Sequence, residues 1–239
     1  MKLDILAIGI HPDDVELSAS GTLLRHAAQG KTFGMLDLSK GELGTRGTPE
    51  IRAAEAADSA RILGAAVRET LDIPDGLFVN TPENRLKIIR ILRKYRPDIV
   101  LCNALSDRHP DHGRAAQMEA EACFYSGLQR IETFDDEGNI QEKWRPKAVY
   151  HYIQDQQLTP DFVVDITPWF RTKMESILAF KSQFYSPEGE AANTPISGKD
   201  FIDFMEAKAR VFARPIQTEF AEGFNVARTP GVGDLFDLK

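Results

Sequence analysis

Residues 3–14 read LDILAIGIHPDD, an apolar stretch that runs straight into a histidine, a proline and two adjacent aspartates. A short apolar run closed by turn-forming residues has the pattern of a buried strand. Two neighbouring carboxylates at its carboxyl end repel one another unless a proton or a cation relieves them. The segment thus raises a fold, a sheet entered by its first strand, and a chemistry, a cation at that strand's mouth.

Further apolar runs at 32–38 (TFGMLDL), 67–73 (VRETLDI) and 98–104 (DIVLCNA) alternate with longer helical patterns. That alternation is the signature of a parallel sheet with crossover helices. A helix is expected over 18–31, ending near Gly30. A second spans 48–64, with Thr48 to cap it, Pro49 in its first turn and Gly64 to close it. The stretch 81–97 repeats this design with Thr81 and Pro82, and sets Ile88, Leu92 and Tyr95 on one face. Beyond it come a helix from Pro110 to Ser126, a polar loop or hairpin tip over 133–146, and strands at 147–153 and 161–166. Two more helices, 168–184 and 199–213, flank a loop from Tyr185 to Gly198. With no composition break and no internal repeat, the expected architecture is α/β and Rossmann-like: a mostly parallel sheet with crossover helices, one domain over 1–239 with a C-terminal helical extension.

A chain that is 42% hydrophobic and 27% charged has the composition of an ordinary globular protein. Its formal net charge of -7 and lack of a Lys/Arg cluster speak against nucleic acid as a partner. The first apolar run is too short to span a bilayer and meets acidic residues instead of a cleavage site, so a cytoplasmic protein without a membrane partner is expected. Cys102 and Cys123, each among apolar residues, read as reduced core side chains.

A second unusual cluster, SDRHPDH at 106–112, follows the run DIVLCNA as HPDD follows LDILAIGI. In open parallel sheets ligands bind beyond the carboxyl ends of the strands, so the two loops face each other if their strands are neighbours. A catalytic zinc takes three ligands from His and Asp/Glu and keeps a position for water. His11, Asp14 and His112 supply that set. Asp13 is then free to take a proton from the water, and His109 stands as an imidazole on the oxyanion side with Asp111 to orient it. Either loop alone has a plain reading, HPDD as a helix cap and HPDH as surface residues. Three of the five histidines and four aspartates in two short loops favour a shared site. The same donors accept Fe(II), Co(II) or Mn(II). His26 is expected on a solvated helix face and His151 on a strand near the sheet surface. Arg52, Arg108 and Arg145 are candidates for gripping a substrate carboxylate, with Arg108 best placed beside the second loop.

HPDDVE and RHPDH resemble the paired motifs of the PIG-L/LmbE-like zinc deacetylases, which act on N-acetylglucosaminyl compounds. GELGTRGTPEIRAAEA, KYRPDIV, FKSQF and AEGF extend the similarity, and are most like the branch that deacetylates N-acetylglucosaminyl-malate in bacillithiol synthesis. The resemblance implies zinc on His11, Asp14 and His112, Asp13 as general base, His109 with Asp111 at the oxyanion, and Arg52, Arg108 and, less directly, Arg145 holding substrate. It also implies a homo-oligomer, often a hexamer. Some relatives place a tyrosine over the oxyanion where this chain has Phe201. Other deacetylations, of another GlcNAc conjugate or an N-acetylated small molecule, remain open. So do a two-metal phosphoesterase, for which only one ligand cluster is present, and a non-catalytic sugar- or nucleotide-binding module. GIHPDD replaces the Gly-rich phosphate loop such a module needs for nucleotides.

Overall fold

The structure, a computed structural model, describes residues 1–186 and 194–238. Strands β1 (Ile5–Gly9), β2 (Phe33–Asp37), β3 (Val67–Thr70), β4 (Ile99–Cys102) and β5 (Ala148–Tyr152) run parallel. With β6 (Phe162–Asp165) and β7 (Ala221–Val226) they make a seven-stranded sheet in the order β3-β2-β1-β4-β5-β7-β6. The order reverses between β1 and β4, which pair through Ile5 with Ile99, Leu6 with Val100 and Ala7 with Leu101. The loops that follow these two strands therefore open side by side at the switch point, as the sequence requires for a shared site.

The helices form where the local signals place them. In α3 (Pro49–Leu63) the Thr48 side chain accepts the Ile51 N–H, and Gly64 closes the helix at φ 72°. A cap of this kind is worth about 1 kcal/mol. In α4 (Pro82–Tyr95) Thr81 does the same, and Ile88, Ile89, Leu92 and Tyr95 are buried on one face of the sheet with Leu6, Ile8 and Val100. Each such side chain contributes roughly 1.5–3 kcal/mol on burial. Helix α5 (Pro110–Tyr125) packs beside α4 and sends Met118, Ala122 and Cys123 into the same core, where Cys102 and Cys123 are both free thiols. The polar stretch is a hairpin tip, bridged between Phe134 and Ile140.

Three expectations change. The helix expected over 18–31 is α2 (Ser20–Ala27), and a short helix that was not expected, α1 (Asp14–Ser18), precedes it across Ala19. The helix expected over 168–184 is α6 (Phe170–Leu178), entered by a 3-10 turn at Thr167–Trp169. The C-terminal part is not only helical. After α7 (Lys199–Ala213) the chain returns as β7, inserted antiparallel between β5 and β6. Its sequence AEGFNV carries Glu, Gly and Asn, which are poor strand formers. The strand is held by a tertiary pair: buried Glu222 accepts from Lys173 Nζ at 2.6 Å and from the N–H groups of Gly21 and Thr22 at 3.0 and 2.7 Å. Of the loop expected from Tyr185 to Gly198, residues 187–193 lie outside the described residues. Among the described residues no helix is long and apolar enough to cross a membrane.

Candidate active site

At Gly9 the chain leaves β1 with no room for a side chain, since a Cβ there would sit 2.9 Å from Asp14 Cβ. This close approach folds Asp14 back over the strand end, and Asp13 pays in backbone geometry, with φ 123° in a region that favours glycine. Both carboxylates are buried, at 5% and 1% exposure, under a cavity of about 360 Å³.

Asp14 is the most constrained group. Its Oδ2 accepts the His11 N–H and Asn103 Nδ2, both at 3.0 Å, and its Oδ1 accepts Gln154 Nε2 at 2.7 Å. Asn103 in turn uses Oδ1 to accept the Ile10 N–H at 2.8 Å, tying the β4 loop to the end of β1. His112 Nε2 lies 3.3 Å from Asp14 Oδ1, and His11 Nδ1 lies 3.8 Å from Asp14 Oδ2. The outer nitrogens are already engaged: His11 Nε2 is 3.0 Å from Asp75 Oδ1 and 3.4 Å from Asp111 Oδ2, and His112 Nδ1 is 2.5 Å from Asp107 Oδ2.

Two imidazoles and a carboxylate are the donor chemistry a divalent ion takes. Ligand atoms about 2.0–2.2 Å from a tetrahedral metal stand roughly 3.3–3.6 Å apart; His112 approaches Asp14 Oδ1 at that spacing, whereas His11 nears the other oxygen, Oδ2, at 3.8 Å. Electrostatics agree. Burial opposes charge on both His11 and His112, yet the surrounding carboxylates prevail and hold His11 well above the usual imidazole range and His112 at about 9. Burial likewise opposes the Asp14 charge, but His112 and His11 keep it well below the carboxylate range. The pocket thus draws positive charge onto its imidazoles. Among the described residues, the groups whose donor atoms all fall within 4.8 Å of one another are His11 with His109 and His112, and His11 with Asp75 and Asp111; Asp14 belongs to neither.

Asp13 stands apart from this set and faces Arg52, whose Nη2 is 3.2 Å from its Oδ2. Burial pushes its carboxyl up to about 7, against the pull of Arg52 and with the push of Asp14. Arg52 lines the cavity but is committed to protein groups, donating also to the carbonyls of Pro12 (2.7 Å) and Gly41 (3.3 Å). A side chain at Gly41, φ 65°, would collide with that guanidinium. Arg108 lies on the rim, paired with Asp155.

Two expected pairings come out differently. Asp111 does not orient His109 through its carboxylate, which faces His11, accepts the Gly76 N–H at 3.0 Å and receives Arg114. It is the Asp111 N–H that donates to His109 Nδ1, at 3.3 Å, because His109 caps α5. Burial, and then His11 and His112, depress the His109 pKa. Arg145 is not brought to the cavity. It donates to the Phe124 carbonyl at 2.8 Å and lies 4.3 Å over the Phe124 ring. His151 is buried, with Nδ1 2.8 Å from the Asn103 carbonyl. Phe201 lines the cavity beside Met205, Leu17 and Ile196.

Asp75, Asn103 and Gln154 escaped the sequence reading, and Asp107, counted in the second loop, was given no role there. All four lie just beyond the carboxyl ends of β3, β4 and β5, where a search along every parallel strand, and not only the His-bearing ones, finds them.

The family described as PIG-L, GlcNAc-PI de-N-acetylase, matches residues 6–123. The diacetylchitobiose deacetylase of Thermococcus kodakarensis is 29% identical over 191 residues, 75% of this chain and 70% of that one. The uncharacterized deacetylase YaiS of Escherichia coli is 32% identical over 126 residues, 50% of this chain and 67% of that one. Among solved structures, the conserved protein TT1542 of Thermus thermophilus superposes with a TM-score of 0.84 at 33% identity, covering 98% of each chain. The matched span contains β1 and its HPDD loop, and β4 with its HPDH loop. The chain therefore belongs to the PIG-L family and is a hydrolytic N-deacetylase.

Proposed function

We propose that the protein is a zinc-dependent deacetylase of an N-acetylglucosaminyl conjugate, most specifically N-acetyl-α-D-glucosaminyl L-malate. The observation that carries the reading is the donor set around Asp14, with a second acid, Asp13, buried beside it and outside the set. His11, Asp14 and His112 would hold the ion. When bound, it supplies Lewis acidity toward an amide carbonyl and makes water a usable nucleophile near neutral pH.

The protein's own groups do the rest. Asp13, at about 7, accepts a proton from the attacking water. Arg52 fixes its Oδ2, leaving Oδ1 for that proton. His109 takes the Asp111 N–H on Nδ1, so Nε2 is its donor, placed to stabilise the oxyanion as the acetyl carbonyl becomes tetrahedral. This His109 donor takes the part that Phe201, lacking a hydroxyl, leaves empty. The C–N bond then breaks, acetate departs, and the amine takes back the proton held by Asp13. Arg108 on the rim attracts the malyl carboxylates.

Acetate release by the purified protein tests this. GlcNAc-malate should turn over well above free GlcNAc, a chelator should stop the reaction and zinc should restore it. Equal turnover of the two substrates sinks the malate assignment, and turnover that survives full metal removal sinks the metal. Assembly as a hexamer, which the motif resemblance implies, is part of the same proposal and is checked by light scattering.

A further inference from the structure

We infer that Asp107 is the positioning residue that selects the tautomer of His112 and so keeps Nε2 open to a metal, a role that rests on His112 being a ligand. The Asp107 carboxylate has no exposed surface and divides its two oxygens between different partners. Oδ2 lies 2.5 Å from His112 Nδ1. Oδ1 accepts two backbone N–H groups, from Asp155 at 2.9 Å and from Gln156.

A backbone N–H donates and never accepts, so Oδ1 must be an acceptor. With Oδ2 also an acceptor, His112 is obliged to donate from Nδ1. A neutral imidazole that donates from Nδ1 carries its lone pair on Nε2, the nitrogen that faces Asp14 Oδ1 at 3.3 Å. The same carboxylate also sets the β5 loop. Residue 154 precedes the two N–H groups held by Asp107, and Gln154 Nε2 donates to Asp14 Oδ1 at 2.7 Å. Ser106 Oγ, donating to Gln156 Oε1 at 3.0 Å, closes the seam from the other side. One buried acid thus registers two loops and fixes one ring.

An unusual ordering of variants follows. In Asp107→Asn the amide has one acceptor, and the two backbone donors claim it. The Nδ2 group then faces His112 Nδ1 and donates to it, which moves the ring proton to Nε2 and blocks the ligand position. Asp107→Ala loses the acceptor but imposes no tautomer. Asparagine, the closer mimic, should do more harm than alanine.

Zn(II) affinity is read by competition with a chromophoric chelator, and the His112 tautomer by nitrogen-15 NMR of the metal-free protein, at a pH where the same spectra show that ring neutral. The expected weakening is about tenfold for Asp107→Ala and about 100-fold for Asp107→Asn, the span typical of groups that orient a metal ligand, with Nε2–H seen in the Asn variant and Nδ1–H in wild type. A merely structural role predicts the reverse order, because alanine strands both backbone N–H groups. That order, equal affinities, or an Nε2–H wild-type ring overturns the inference, and the last needs no variant to fold. If His112→Ala binds Zn(II) as tightly as wild type, the ligand assignment itself fails. If His112→Ala loses the ion while Asp107→Asn keeps wild-type affinity, only the role of Asp107 fails.

Discussion

Replacing Glu119 by glutamine should stabilise the metal-free protein, and increasingly so as pH rises. Glu119 lies on α5 with no exposed surface. Its Oε2 accepts the Asn103 N–H at 2.8 Å, while Oε1 has no partner. Burial pushes the carboxyl from its ordinary 4.5 up to about 8, aided by the Asp14 charge and opposed by the Asn103 N–H. Between those values the native state keeps a proton that the unfolded chain has released. Native protein therefore binds more protons, and its stability falls as pH climbs through the window. At 1.36 kcal/mol per unit, the loss between pH 5 and pH 8 is about 3 kcal/mol. Glutamine keeps an oxygen for the Asn103 N–H and does not titrate, so its advantage over wild type should grow by that amount. Urea unfolding of both proteins at intervals across this range measures it. A stability difference independent of pH would refute the reasoning. Zinc should shrink the effect, because positive charge near Asp14 eases ionisation of Glu119.

Asp13→Asn should lower turnover by about 10²–10⁴-fold while zinc stays bound at full stoichiometry, since a general base is lost but no ligand is; turnover and metal content measured together check this. Zinc at 100 times its Kd should add about 2.7 kcal/mol to wild-type stability, seen as a rise in Tm, and His11→Ala should show no such rise. Arg108→Ala should cost roughly 1.5–3 kcal/mol of transition-state binding, about 10- to 100-fold in kcat/KM, for a conjugate bearing carboxylates and little for free GlcNAc. Arg145→Ala, whose guanidinium sits on Phe124 away from the cavity, should leave kcat/KM for both substrates unchanged.

Much of the scaffold was legible because its signals are local. Thr-Pro starts mark α3 and α4, Gly64 ends α3, and apolar or β-branched runs mark β1 to β6, each a local signal. Strand β7 was not, since what makes AEGFNV a strand is Lys173 of α6 and the N–H groups at the start of α2, far away in the chain. Nor was the short helix α1, since no composition mark separates it from α2 at Ala19.

The candidate site divides in the same way. HPDD and HPDH announce themselves because histidines and aspartates crowd two short loops, and the sequence by itself determined that those loops carry the candidate donors. Which donors meet was decided by tertiary structure. Strand order sets β1 beside β4 and brings Asp14 to His112. The cap geometry of α5 turns the Asp111 N–H toward His109 and its carboxylate toward His11. Arg145, adjacent in sequence to a strand, is captured by the exposed ring of Phe124. Asp75, Asn103 and Gln154 carry no motif of their own, and their importance comes from partners up to 140 positions away. Composition and periodicity record what a residue can do chemically. Only the folded backbone fixes which hydrogen bonds those groups have left to give.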